Sequence, residues 1–360
     1  MAPTAGLTPR ERVRRALGRQ VSDRVPINYF ANAGIDRRLK AHFGLAADDS
    51  EGLLRALGVD FRRVEAAYAG PALHPAQPER QIDGWGIRKR WIGHDTGGYW
   101  DYCDFPLREA DDEAVERWPM PSPDAYDYSG AAAAAAACAE FAVVLGGTGL
   151  GDILNKAGMI FGVEETLVRL IGDAPALLHW TDRRLAVQVA VIERTLAALR
   201  GRADLLWMGE DLGTQIAPIL SLELFRRHLR PRLQRIVDVG RRAGVPVMIH
   251  SCGASSWAFD EFVDMGIAVV DTLQPEAAGM APARLKQSFG DRLAFHGCIS
   301  TAALARETPE GVEAMVRDTL GVMMPGGGYA LAPTHLLQDN TPTENAVAMY
   351  AAAARHGAYQ

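Results

Sequence analysis

Val245-Pro246-Val247-Met248-Ile249-His250-Ser251-Cys252-Gly253 and Arg292-Leu293-Ala294-Phe295-His296-Gly297-Cys298 have the same grammar. A short apolar run, long enough for one strand, stops at His-x-Cys. Between them, Ile267-Ala268-Val269-Val270 runs into Asp271 and Gln274. Upstream, Phe141-Ala142-Val143-Val144-Leu145 stops at Gly146-Gly147-Thr148-Gly149, and Leu205-Leu206-Trp207-Met208 stops at Gly209-Glu210-Asp211. Downstream, Gly328-Tyr329-Ala330-Leu331-Ala332 stops at His335. Helical segments separate these runs. The alanines 131–137, a long stretch over roughly 162–200, the amphipathic 221–243, the short 259–265 and the segment opened by Thr308-Pro309 all carry that signal. Apolar strands alternating with helices give right-handed βαβ units and a parallel sheet. With Arg24 to Phe30 as a first strand there are about eight, which suits a closed (β/α)8 barrel. In that fold the C-terminal strand ends form the active-site face, and the polar residues here follow the strands.

Residues 70–128 break the pattern. They are rich in Gly, Pro, Trp and Tyr, with short alternating pieces such as Gly84-Trp85-Gly86-Ile87-Arg88-Lys89-Arg90-Trp91. That reads as a small antiparallel hairpin or meander inserted into one barrel domain spanning residues 1–360. Thr8-Pro9-Arg10-Glu11 and Thr341-Pro342-Thr343-Glu344 read as capping boxes opening the first and last helices.

The 360 residues are 48% apolar and 23% charged, with a net charge of −6. This is a globular chain without the basic stripe of a nucleic-acid binder. No apolar run reaches membrane-spanning length. The start, residues 1–18, lacks the apolar centre of a signal peptide, so a cytoplasmic protein is expected. Four scattered cysteines do not make a disulfide scaffold, which leaves catalytic or metal use.

The spacing of the paired motifs carries the chemistry. Extended chain repeats every two residues, so His and Cys of one pair can face the same side. Thiolate and imidazole are zinc ligands, and three of them with one open corner define a catalytic site. His250, Cys252 and Cys298 are the expected metal ligands. His296, His335, Glu210 and Asp211 remain open as a fourth. Glu210, Asp211 and His335 are the candidate acid/base groups. Gly147, Gly149, Gln215 and Gln274 are candidates for contact with a cofactor or large substrate, and Gly146–Gly149 matches no phosphate-binding fingerprint. Cys103 and Cys138 read as structural.

These residues meet a known family. TPRERVRRAL at 8–17, DRVPINYF at 23–30, GEDLGTQ at 209–215 and SLELFRRHLRPRLQRIVDVGRRAGVPVMIHSCG at 221–253 resemble the uroporphyrinogen decarboxylase superfamily. So do DTLQPEAAGM at 271–280, FGDRLAFHGCIS at 289–300, PGGGYALAPTH at 325–335 and TPTENAVAMY at 341–350. The resemblance implies a (β/α)8 barrel, often a homodimer, with its pocket at the strand C-termini. True decarboxylases of the family carry an N-terminal motif with arginines. The matching stretch here, Phe30-Ala31-Asn32-Ala33-Gly34-Ile35-Asp36, has none. The likeness is therefore closer to the zinc- and cobamide-dependent methyltransferases, whose signature is His-x-Cys with a later Cys. Their later Cys lies in a segment similar to Ala332-Pro333-Thr334-His335, whereas Cys298 lies one strand earlier.

The expected function is zinc-dependent methyl transfer between a corrinoid carrier, delivered by a partner such as a corrinoid protein, and a thiol or methyl-ether substrate. The alternatives are a metal-independent decarboxylase or lyase of a carboxylated substrate, and a non-catalytic barrel that binds a corrinoid or a partner.

Overall fold

The computed structural model describes residues 6–359; the first five residues, where no leader peptide was read, lie outside them. Seven parallel strands form the main sheet in chain order. They are β1 (Phe61–Val64), β2 (Ala142–Gly151), β3 (Leu205–Gly209), β4 (Val247–His250), β5 (Val269–Thr272), β6 (Ala294–Ile299) and β7 (Tyr329–Pro333). Residues 24–30 do not form the full strand expected; only single bridges remain, at Arg24 and Ile27, with another just beyond at Ala31. Yet this segment closes the ring. Leu331 N–H donates to Pro26 O and Asn28 N–H to Leu331 O on the β7 side, while Asp60 N–H donates to Ile27 O on the β1 side. Pro26 cannot donate to a ladder, which keeps the eighth stave short.

Strand alternation sorts the apolar residues into two cores. Phe61, Val144, Leu205, Trp207, Met248, Val269, Ala294 and Ala330 fill the barrel. Val13 and Leu17, from the helix Pro9–Leu17, belong to the same inner cluster. That helix starts with the expected capping box of Thr8 and Glu11. Their neighbours Leu206, Val247, Ile249, Val270, Phe295 and Leu331 point outward and pack under the helical ring.

Three helical expectations change in detail. The stretch 162–200 is two helices, Val163–Ile171 and Pro175–Leu199, separated where Asp173 takes a left-handed conformation and Pro175 starts the second. The 221–243 helix holds a π-turn over Phe225–Leu229, just before Pro231, whose ring cannot sit against a regular preceding turn. Thr341 does not cap the last helix, Thr343–His356, whose N-cap is Pro342. The antiparallel insertion is present: Gln81–Ile82, Arg88–His94 and Gly97–Cys103 form a three-stranded sheet. No helix among the described residues is long and apolar enough to cross a membrane.

Candidate functional site

The register of the parallel strands decides which polar residues meet. His250 pairs with Gly209 and with Asp271, and Asp271 pairs with His296. These three side chains therefore stand at one level on adjacent strands, above the Trp207–Met248–Val269–Ala294 layer. Asp271 lies between the imidazoles. His250 Nδ1–H donates to Asp271 Oδ2 (2.7 Å) and His296 Nδ1–H to Asp271 Oδ1 (2.6 Å). Burial opposes ionisation of Asp271, but the two histidines outweigh it and hold the carboxyl well below its ordinary range. His296 is closed on its other side as well, where the Asn28 amide donates to Nε2 (3.1 Å).

His250 differs in that its Nε2 faces the next two donors. Cys252 Sγ lies 3.3 Å from it and Asp211 Oδ1 lies 3.7 Å from it. The ligand atoms of Asp211, His250 and Cys252 all fall within 4.8 Å of one another. Asp211 is fixed by the Cys252 N–H, which donates to Oδ1 (2.9 Å), and by the Asn155 amide, which donates to Oδ2 (2.9 Å). Burial pushes the Cys252 thiol up, with His250 pulling the other way. Burial lowers the pKa of His250, yet its bonds to Asp271 and Cys252 carry it well above the usual imidazole value.

This donor set fits zinc. Bonds of roughly 2.0–2.3 Å in a tetrahedron put ligand atoms roughly 3.3–3.8 Å apart, and the two spacings from His250 Nε2, 3.3 Å to Cys252 and 3.7 Å to Asp211, match. A carboxylate holding the far nitrogen of a histidine is also how ligating imidazoles are oriented.

The cluster lies on the wall of a cavity of about 380 Å³ at the C-terminal mouth of the barrel, lined also by Phe30, Arg63, Asp152, Lys156, Trp207 and His335. Glu210 reaches the cavity but is committed: its oxygens accept from Ile153 N–H (2.7 Å) and Leu154 N–H (3.0 Å), capping the helix Ile153–Phe161. Burial, with Asp152 adding to it, raises the Glu210 carboxyl well above its ordinary value. His335 stands at the exposed rim, with Nδ1 3.1 Å from the Gln338 amide.

Cys298 is not brought to the cluster. It is 1% exposed and packs in the outer core, where burial pushes its thiol up to about 12. Alternation would turn it inward, two residues after His296. Left-handed backbone at Gly297 (φ 111°) and Cys298 (φ 74°) reverses that.

The cofactor candidates also lie apart from the cluster. A bulge begins at Gly146 on β2; Gly147 and Gly149 line a second cavity of about 220 Å³, which shares Arg63 with the first. Gly149 O accepts from Arg184 and Gln188. Gln215 donates to Gln274 Oε1 (3.1 Å), which also accepts from Gly253 N–H (2.6 Å). The two glutamines brace the loop that follows Cys252.

Asp271, Asp152, Asn155 and Lys156 received no role from the sequence. Asp271 had a usable signal, since it lies on the inward face two residues after Val269. Asp152 and its neighbours had none, because only the β2 bulge carries them to the mouth.

No curated protein matches the chain. A methyltransferase from Methanosarcina mazei shares the fold, with a TM-score of 0.69 at 17% identity over 97% of this chain and 99% of that one. The family model described as uroporphyrinogen decarboxylase (URO-D) matches residues 177–356. That stretch contains Asp211, His250, Cys252, Asp271 and His296, and the chain belongs to the URO-D family.

Proposed function

We propose that this protein is a zinc-dependent methyltransferase that moves a methyl group between a corrinoid carrier and a small thiol or methyl-ether substrate. The observation that carries the reading is the convergence of Asp211, His250 and Cys252 within 4.8 Å at the barrel mouth. His250, Cys252 and Asp211 would hold the ion, leaving one corner for substrate. A zinc ion there supplies Lewis acidity, enough to keep a thiol as thiolate or to polarise an ether oxygen.

The rest is done by the chain. Asp271 fixes the His250 tautomer and leaves Nε2 as the donor. Cys252 N–H and Asn155 hold the Asp211 carboxylate in place. Phe30 and Trp207, whose rings lie 5.0 Å apart, form an apolar wall that excludes water. A cavity of about 380 Å³ suits a small substrate; the macrocycle would approach from the mouth, carried by a partner protein. The methyltransferase fold neighbour supports the same reading.

Elemental analysis of purified protein should give one zinc per chain. The zinc-loaded protein should demethylate methylcobalamin with a thiol, or methylate cob(I)alamin from a methyl ether, followed by the corrinoid absorption spectrum. Protein that takes up no zinc, or leaves both corrinoids unchanged across thiols and ethers, would refute the reading.

A further inference from the structure

Three of the four acidic side chains deep in the cavity are fully engaged. Glu210 caps a helix, Asp211 accepts from Cys252 and Asn155, and Asp271 serves two histidines. Asp152 is the exception. It lines the same cavity and is 5% exposed. Its Oδ1 is buried with no hydrogen-bond partner, and its carboxyl forms no ion pair among the described residues. Arg184 donates to the main-chain O of Asp152 rather than to its carboxyl (3.2 Å). An unsatisfied buried carboxyl costs stability, and one on the cavity wall is open to a hydrogen bond or a proton from a bound substrate.

We propose that Asp152 is the catalytic residue that exchanges the substrate's proton during methyl transfer. This rests on the methyltransferase reading above. Let X be the sulfur or oxygen that carries the methyl group in the methylated substrate. In methylation of X–H, the X–H bond breaks with its electron pair left on X, and the proton passes to the Asp152 carboxylate. The X–CH3 bond forms as the bond between methyl and corrinoid breaks, its pair staying on the corrinoid. In the reverse direction Asp152 returns the proton to X.

The charged groups facing Asp152 are Lys156 one turn along its helix, Arg184 from Pro175–Leu199, Glu210 and Asp211 after β3, and His250 from β4. Burial pushes the carboxyl up to about 6, against Lys156 and Arg184, which pull it down. That is the range in which a carboxyl works as acid and base near neutral pH. His335, at the exposed rim, competes with bulk water for the same task.

The test compares zinc-loaded wild type and Asp152→Asn, with methylcobalamin and a thiol, between pH 5 and 9. The variant should bind zinc normally and lose about 100-fold or more in kcat with little change in KM. It should also lose the limb of the pH profile near 6. Its melting temperature provides a second readout. A carboxyl raised in the folded state stabilises below its unfolded value and loses that contribution as pH rises through about 6. Asp152→Asn should therefore melt above wild type at pH 8, whereas a purely structural Asp152 would make the variant melt lower. An active wild type matched by Asp152→Asn in rate and pH profile overturns this assignment alone. A wild type that moves no methyl group in either direction overturns the methyltransferase reading with it.

Discussion

His250-Ser251-Cys252 and His296-Gly297-Cys298 are the same motif on nearly adjacent strands, and the barrel uses them oppositely. At the end of β4 both side chains reach the cavity, with Sγ 3.3 Å from Nε2. At the end of β6 the imidazole faces inward, but the thiol is turned out into the outer core. The middle residue makes the difference. Gly297 adopts φ 111°, and a Cβ built there would lie 2.4 Å from Thr272 O. Period-two reasoning holds only while the backbone stays extended, and a glycine inside the motif marks where it can fail.

Removing each thiol tests this contrast most strongly. Cys252→Ala deletes a ligand and should weaken zinc binding by more than the ~10–100-fold typical of losing an outer-shell partner. Cys298→Ala should keep one zinc per chain and lose only core packing, about 1–2 kcal/mol. Metal analysis and chelator competition read the first effect, and denaturant unfolding the second. In metal-free protein at pH 8, iodoacetamide should label Cys252 before Cys298, whose thiol is buried and pushed up to about 12. Loss of zinc from Cys298→Ala equal to that from Cys252→Ala would erase the distinction.

The backbone turn itself can be broken with Gly297→Ala. The added methyl meets a carbonyl from β5 and needs a conformation that L-residues rarely adopt, so the cost should be about 2–4 kcal/mol. Urea unfolding measures it. A loss under about 0.5 kcal/mol would mean that the glycine is not what forces Cys298 outward.

The same contrast shows what was legible in the sequence. The strand ends, the barrel class, the insertion and the His250–Cys252 pair follow from apolar runs and local period, which the chain states directly. Asp211 was visible as a polar residue past a strand, though its partnership with Cys252 N–H depends on how two loops meet. Cys298 was misplaced because one left-handed pair of residues inverts its side. Asp152 was missed because a β-bulge at Gly146, a tertiary feature, carries it into the cavity. Local period and strand ends point to residues that a regular backbone presents; where left-handed residues or a bulge redirect the chain, as at Cys298 and Asp152, the local pattern misleads or is silent.

Asp271 joins the two motifs, and Asp271→Asn sharpens their comparison. One carboxylate holds both rings, but the rings depend on it unequally. His296 also accepts from Asn28 and is enclosed by Phe30 and Phe61, so it should stay in place. His250 has only Thr272 Oγ1 as a second contact at Nδ1 (2.9 Å). An amide offers one oxygen where the carboxylate offers two, so His250 loses its charged acceptor. Zinc affinity should fall ~10–100-fold, or about 1.4–2.7 kcal/mol, measured against a chromogenic chelator. In metal-free protein the sign of the pH effect is also fixed. Asp271, depressed when folded, contributes stability that is fully present above the ordinary carboxylate range and is lost as pH falls from there toward its folded value. His250, raised when folded, contributes stability below about 6.5 that is lost as pH rises through its folded value. Both contributions overlap between about pH 4 and 6.5, so the variant's deficit in melting temperature should be largest there and shrink toward pH 9. An unchanged zinc affinity with a deficit independent of pH would show that Asp271 only fills space between the rings.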